Sequence, residues 1–401
     1  MFSFFGGKKN YSIGIDFGTS AIKVVELSHK NQKACLENYG WVDLGLINPS
    51  SVNRVSVSKE QVSYNKKLQK YLEKLIKSMK PKSDSAYISL PGFSGLLTVI
   101  EFPAMSESEL EEAIRFEARK YIPMSLDEVA LDWEIIKNES ESEKAPVKNN
   151  NTLPVKEETK EEIKKESSWN KDIGSFIKKK PENTKKKNEI LLVAAPKNEV
   201  MRCGNIVKEA GLSVKNVEIE LFSMTRAIIG NDPGCFLIVD IGSRITNMIL
   251  VEKGTIRVNR NIEGGGNEIT NVIADSLNIS KQRAEELKKE NKDLLNNKEM
   301  SLIIPVIDMV INESIRIVNA YKEKKGGSFR VDGIILSGGS SRLQGIENYF
   351  QSKTGIQTSL GNPWKKISYD EKLKPFVEKM GASFSVALGL AERGLEESNN
   401  K

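Results

Sequence analysis

Apolar positions recur at helical spacing in some stretches of this chain and crowd into short β-rich runs in others. Val62, Leu68, Leu72, Leu75, Ile76 and Met79 make one apolar face, predicting a helix from Ser58 to Met79 with Ser58 and Gln61 as a capping box. Strands are expected at Ser85–Leu90 and Leu96–Phe102. Ser106 and Glu109 then open a second capped helix, running to about Tyr121 and stopped by Pro123. Further strands read at Leu131–Ile136, Ile190–Ala194 and Val214–Ile219, with a helix from Lys197 to Ala210 between the last two. Later helices are expected up to about Asn278, over Arg283–Glu290, from Leu302 to Lys325 with Pro305 in its first turn, and from Ala382 to Glu392.

One unit occurs twice. Tyr11–Leu27 reads as a hairpin around Asp16-Phe17-Gly18-Thr19. From Cys235 the same pattern returns, and Leu237–Ser243 ends a strand on Asp240-Ile241-Gly242-Ser243. A third strand, Val331–Leu336, runs into Ser337-Gly338-Gly339-Ser340. A strand–turn–strand unit thus opens each of two α/β halves.

Composition changes this picture in one place. Residues 138–188 hold 13 Lys against 9 Glu and 1 Asp, with few large apolar side chains. Such a stretch buries too little to order itself, so a mobile linker is expected there, spanning roughly 40 Å root-mean-square. Within it Trp169, Ile173, Phe176 and Ile177 share a helical stripe ahead of Lys178–Lys180 and Lys185–Lys187; a solvated tether with stray apolar residues is the favoured reading, and a basic amphipathic segment that docks on an anionic membrane or a partner is the alternative. The linker carries +3 of the net +6, so the remaining body is close to balanced and gives no reason to expect nucleic acid. Three separated cysteines, Cys35, Cys203 and Cys235, have no metal-ligand spacing and read as buried hydrophobes. His29 is the only histidine, too few for a triad or a histidine-rich metal site. No apolar run reaches the length of a membrane span, and a cytoplasmic protein is expected.

The repeated turns carry candidate chemistry. Gly18 and Gly242 allow tight turns that bring backbone N–H donors to phosphate oxygens, and Thr19, Ser20 and Ser243 add hydroxyls. Asp16 and Asp240 are placed to hold waters of a Mg²⁺ ion, and Lys23 follows the first turn as a phosphate-facing cation. Gly338 and Gly339 let a helix start approach a base and ribose. Glu285 and Lys288 stand one helical turn apart, where both can meet a ribose or adenine or simply form a solvated pair.

In order along the chain, Asp16-Phe17-Gly18-Thr19-Ser20, Asp240-Ile241-Gly242-Ser243 and Ser337-Gly338-Gly339 resemble the two phosphate motifs and the adenosine motif of the actin-like ATPase superfamily. Within it, Glu109–Pro123, Gly265–Thr270, Ala284–Lys288, Gly338–Gly345 and Ala387–Ala391 are similar to the PilM family of type IV pilus assembly proteins. The resemblance runs from about Tyr11 to Arg393, the linker excepted. It implies an α/β actin-like fold of two lobes closing on a nucleotide, with an extra subdomain of the FtsA kind. The first lobe is then 10–92 with 216–232 and 367–401, the inserted subdomain 93–215, and the second lobe 233–366. Also implied are ATP and Mg²⁺, with Gly265 among the nucleotide contacts, and a groove for the cytoplasmic N-terminal peptide of the inner-membrane protein PilN. The protein would sit at the cytoplasmic face of the inner membrane, beside other pilus assembly proteins and possible further copies of itself. Arg244 stands where the chaperones of the superfamily have a glycine-rich loop, so at most slow ATP turnover is expected. Competing readings are a small-molecule kinase of the same superfold, for which no general base stands out, and an FtsA-like filament former, for which Glu392–Lys401 is too short and polar to be a membrane helix.

Overall fold

The structure is a computed structural model and describes residues 10–30, 33–45, 59–103, 105–138, 187–290, 295 and 303–399. Most of the expected linker, the Trp169 stripe and Ser58 lie outside the described residues.

Two five-stranded sheets share one topology. The first pairs β1 (Tyr11–Phe17), β2 (Ala21–Lys30), β3 (Lys33–Asp43), β4 (Ser85–Leu90) and β8 (Ser213–Ile219) in the order β3-β2-β1-β4-β8. The second pairs β9 (Cys235–Ile241), β10 (Ile245–Glu252), β11 (Thr255–Glu263), β12 (Gly333–Ser337) and β13 (Thr358–Leu360) in the order β11-β10-β9-β12-β13. In each, an antiparallel meander joins strands that run parallel. A third sheet is antiparallel, with β5 (Leu96–Pro103) and β6 (Val129–Asn138) flanking β7 (Lys187–Pro196).

Alternation along the strands decides the layers. Ile13, Ile15, Ile22 and Val24 face Leu68, Leu72 and Ile76 of α1 (Lys59–Met79) and Val200, Cys203 and Val207 of α3 (Lys197–Glu209). The other face of this sheet meets α4 (Glu220–Ile228) and α10 (Ser385–Asn399), with Leu221, Met224, Val386 and Leu390 also packing on Ile238 and Ile249 of the second sheet. Beyond that sheet, Leu237, Val239, Met248 and Leu250 face α5 (Gly266–Leu277), α6 (Lys281–Lys289), α7 (Ile304–Lys324) and α8 (Ile346–Thr354). Two helices therefore lie between the sheets, where both lobes meet.

The third sheet packs on α2 (Glu107–Ala118) through Leu110, Ile114 and Ala118. Ser106 caps this helix with Glu109 in a complete capping box. The helix ends at Ala118, well short of Pro123, because Tyr121 and Ile122 both donate to the Ala118 carbonyl in a tightened turn that returns Ile122 to the core. Six elements had no clear sequence signal: the edge strands β3, β11 and β13, and helices α4, α8 and α9 (Lys374–Met380). Cys203 and Cys235 are buried as expected, whereas Cys35 on edge strand β3 is only half-buried. The inserted subdomain was expected to extend to 215, but α3 packs with α1 and β8 pairs with β4 in the first sheet.

Helix α10 lies at backbone contact with its neighbours. A Cβ on Gly14 would overlap the Ala387 carbonyl oxygen, and one on Gly389 would overlap that of Ser223 in α4. Overpacking of this kind costs about 1–3 kcal/mol. Gly389→Ala is therefore expected to lower unfolding free energy by about that amount in urea titration, while Gly204→Ala, where an added Cβ meets nothing within 4 Å, leaves it unchanged or raised.

Candidate functional site

The duplicated hairpins meet tip to tip at the junction of the lobes. Asp16 lies opposite Lys23 in the β1–β2 register, and Lys23 Nζ is 3.2 Å from Asp16 Oδ2. Asp240 lies opposite Asn247 in the β9–β10 register, the same position in the second copy. A Cβ on Gly18 would come 2.9 Å from the Ala21 carbonyl oxygen, and one on Gly242 would come 2.6 Å from that of Ile245. Both turns thus need glycine for the same reason, three residues from the same contact. Across the cleft Thr19 Oγ1 and Ser243 Oγ share a hydrogen bond of 2.5 Å.

The second turn is bound to the start of α5. Gly266 N donates to the Gly242 carbonyl at 2.9 Å and Asn267 N to that of Ser243 at 2.7 Å. Gly265 caps α5 so closely that a Cβ would sit 2.5 Å from the Gly242 oxygen. Lys288 of α6 donates to the Gly266 carbonyl and to Thr270 Oγ1, both at 2.8 Å, and pairs with Glu285 at 2.6 Å. Thr270 Oγ1 in turn reaches Glu285 Oε2 at 2.5 Å. Burial opposes ionisation of Glu285, yet the Lys288 ammonium holds its carboxyl below the usual range; burial also lowers Lys288. All three Lys288 protons are engaged, so this pair fixes the N-terminal turn of α5.

Gly338 takes φ 86° and stands against the second turn, where a Cβ would lie 2.5 Å from the Ile241 oxygen and 2.8 Å from Asp240 Oδ1. Gly339 opens the short helical turn Gly339–Arg342 and faces open space, with nothing within 4 Å of an added Cβ. Ser20 is exposed, and the structure does not bring its hydroxyl into this cluster. The remaining predicted residues converge.

Three residues of the cleft were not predicted. Glu220, the first residue of α4, accepts from Gly92 N at 2.7 Å and from Asn247 Nδ2 at 3.0 Å, both on Oε1. Burial, then Asp16 and Asp240, push its carboxyl up to about 8. Burial likewise pushes Asp240 up to about 6, with Asp16 adding to the effect and Lys23 opposing it. Asn247 had a usable signal, because it follows Asp240 at the interval at which Lys23 follows Asp16. Glu220 had none, since it arrives from a distant helix. Arg342, inside the glycine-pair motif, is half-buried, touches Met380 Sδ at 3.1 Å, and burial alone lowers its pKa.

The donor set fits a nucleotide and its cation. Lys23 supplies a cation beside Asp16, the glycine-pair motif carries the cation Arg342, and the hydroxyls of Thr19 and Ser243 meet. Among the described residues no group of three or more His, Cys, Asp or Glu could hold a metal directly. Two facing carboxylates match an ion that keeps most of its waters, as Mg²⁺ does.

The sequence model for "Type IV pilus assembly protein PilM" matches residues 14–161 and 175–395. The chain belongs to the PilM family. Its curated relatives include cell division protein FtsA of Helicobacter pylori strain J99, 23% identical over 238 residues, covering 50% of this chain and 46% of that protein. Another is ethanolamine utilization protein EutJ of Escherichia coli K12, 26% identical over 149 residues, covering 37% and 48%. The chain spans about half the length of the curated relatives it matches. Among solved structures, a PilM-PilN type IV pilus biogenesis complex superposes with TM-score 0.72 at 22% identity, covering 96% of this chain and 98% of the other. MreB5 of Spiroplasma citri bound to AMPPNP gives 0.50 at 14%, covering 98% and 99%. The fold is that of the actin-like ATPases, with the third sheet as its FtsA-like addition.

The raised acids predict an unusual pH response. An acid whose folded pKa lies above its unfolded value stabilises the fold most when protonated. The contribution is full below pH about 4 and fades as pH rises through about 6 for Asp240 and about 8 for Glu220. In the nucleotide-free protein, Asp240→Asn is therefore expected to raise the melting temperature at pH 8 by several degrees and to change little at pH 5, read by differential scanning fluorimetry. A uniform drop at both pH values would contradict the crowding.

Proposed function

We propose that this chain binds ATP with Mg²⁺ between its lobes and acts as a peripheral scaffold of type IV pilus assembly. On this reading it holds the cytoplasmic N-terminal segment of an inner-membrane PilN and sits at the cytoplasmic face of that membrane. The observation that carries the nucleotide part is the meeting of two equivalent turns, with Thr19 against Ser243 and Asp16 and Asp240 behind them. The phosphates would lie between the turns, met by their backbone N–H groups and hydroxyls, with Lys23 beside them. Asp16 and Asp240 would hold the waters of the cation, which supplies charge neutralisation, and Arg342 and the open side of Gly339 would border the base. At neutral pH the free cleft keeps Glu220 protonated and a poor proton acceptor, which favours slow turnover or none.

Family membership and the likeness to a PilM-PilN complex support the partner. Leu110 and Ile114 of α2 are core, but Phe116 of the same helix is 59% exposed and Tyr121 just after it 43% exposed, giving an apolar rim at this end of the subdomain. The membrane contact would be made through the partner, and among the described residues no helix is long and apolar enough to cross a membrane. We assign residues 93 to about 196 to the partner-binding subdomain.

Calorimetric titration tests the nucleotide reading. The wild type is expected to bind ATP in a Mg²⁺-dependent way, and Asp16→Ala to weaken that binding at least about tenfold, or about 1.4 kcal/mol, with its circular dichroism unchanged. Equal affinity in the two proteins would remove Asp16 from the site.

A further inference from the structure

Glu220 connects three parts of the molecule. Its Oε1 accepts from Asn247, which lies opposite Asp240 in the β9–β10 register, and Asp16 and Asp240 both act on its carboxyl. The same oxygen accepts the N–H of Gly92. Gly92 is buried and starts the crossing from β4 of the first sheet to β5 of the third. The crossing occupies only Pro91–Gly95, and both its ends rest on the start of α4. A Cβ on Gly92 would lie 3.0 Å from Leu221 Cδ2 and 3.2 Å from Glu220 Oε1. One on Gly95 would lie 2.6 Å from Ile219 Cδ1. Elsewhere the third sheet is held to the second lobe by Arg257 and Glu189 at 2.8 Å.

We propose that Glu220 is a positioning residue that passes the state of the cleft to the third sheet, so that nucleotide beside Asp16 and Asp240 alters the affinity of the peptide site there. The inference rests on the function proposed above. A polyphosphate with its cation changes the charge facing Glu220 in a poorly solvated site, where such changes act strongly. The Oε1 of Glu220 is held by Asn247 and Gly92, so a shift of the side chain is felt by both. A buried Gly92 N–H cannot lose its acceptor without cost, so the turn follows the carboxylate. With five residues and tight packing at both ends, the crossing has little slack, and β5 moves with it. The coupling is reciprocal, and the peptide must change nucleotide affinity by the same factor.

The test uses the full chain and a labelled peptide copying a PilN N-terminus. Its dissociation constant is measured with saturating non-hydrolysable ATP analogue plus Mg²⁺, and again with neither. In the wild type the two constants are expected to differ by about fivefold or more. Glu220→Ala should bring their ratio within about twofold of one, while Glu220→Gln, which keeps an acceptor for both donors, should retain most of the difference. Gly92→Ala displaces the link but leaves every group assigned to phosphate and cation in place; it should also bring the ratio towards one, and it decides the matter if Glu220→Ala does not fold. A ratio of one in the wild type with both ligands bound would overturn the inference and leave the proposed function standing. An unchanged ratio in Gly92→Ala and in any folded Glu220→Ala would do the same. Absence of peptide binding would sink the partner assignment and this inference together.

Discussion

Three carboxyl groups share the poorly solvated cleft where the lobes of this protein join, and the cost of holding their charge there is the constraint to which the rest answers. Asp16 has Lys23 within 3.2 Å, but Asp240 faces a neutral amide, Asn247, at the matching position. Burial first, with the neighbouring carboxylates adding to it, raises Asp240 to about 6 and Glu220 to about 8. A site with excess negative potential is poised for a cation, and a hydrated Mg²⁺ carried by a polyphosphate would relieve it. The free protein relieves it by protonation instead. The same crowding therefore shapes ligand choice, pH response and the state of the acid nearest the third sheet.

The repeated hairpin was legible in the sequence because β-rich arms and an Asp-x-Gly turn fall within a few residues and recur in the same order. Register then explains why the motifs work. Asp16 and Asp240 sit at the ends of central strands, each beside a parallel neighbour, so both point into one cleft. What escaped the sequence was set by tertiary contact. Glu220 acquires its character from Asp16, Asp240 and Gly92, none of which is near it in the chain. Strand β3 carries charge and half-buried positions because it is an edge, so its alternation is weak. Helix α3 follows the third sheet in sequence but buries Val200, Cys203 and Val207 in the core shared with α1, a contact that local pattern does not show. Glu285 and Lys288 show the opposite case. Spacing alone placed them together, and in the folded chain they clamp Thr270 and the Gly266 carbonyl.

Helices α4 and α10 lie between the two large sheets and pack on both, so neither lobe can rotate without rearranging them. Gly14, Gly389 and Gly394 bring α10 to backbone contact with β1, α4 and the Tyr87 ring. Arg226 and Arg393 bind the buried Glu218 from α4 and α10 in turn, and these pairs outweigh burial to hold its carboxyl below the usual range. Tight packing and a paired buried charge make this layer a pivot rather than a soft joint. Glu220 begins one of its two helices, which is why a change in the cleft has a rigid element to act on.

The central claim is that the Thr19 and Ser243 turns are the two halves of one phosphate site. A crystal structure of the chain with a non-hydrolysable ATP analogue and Mg²⁺ tests it most directly. The account predicts that phosphate oxygens separate Thr19 Oγ1 from Ser243 Oγ, replacing their 2.5 Å hydrogen bond, with a hydrated cation before Asp16 and Asp240. A nucleotide bound elsewhere, with that hydroxyl pair intact, would contradict it.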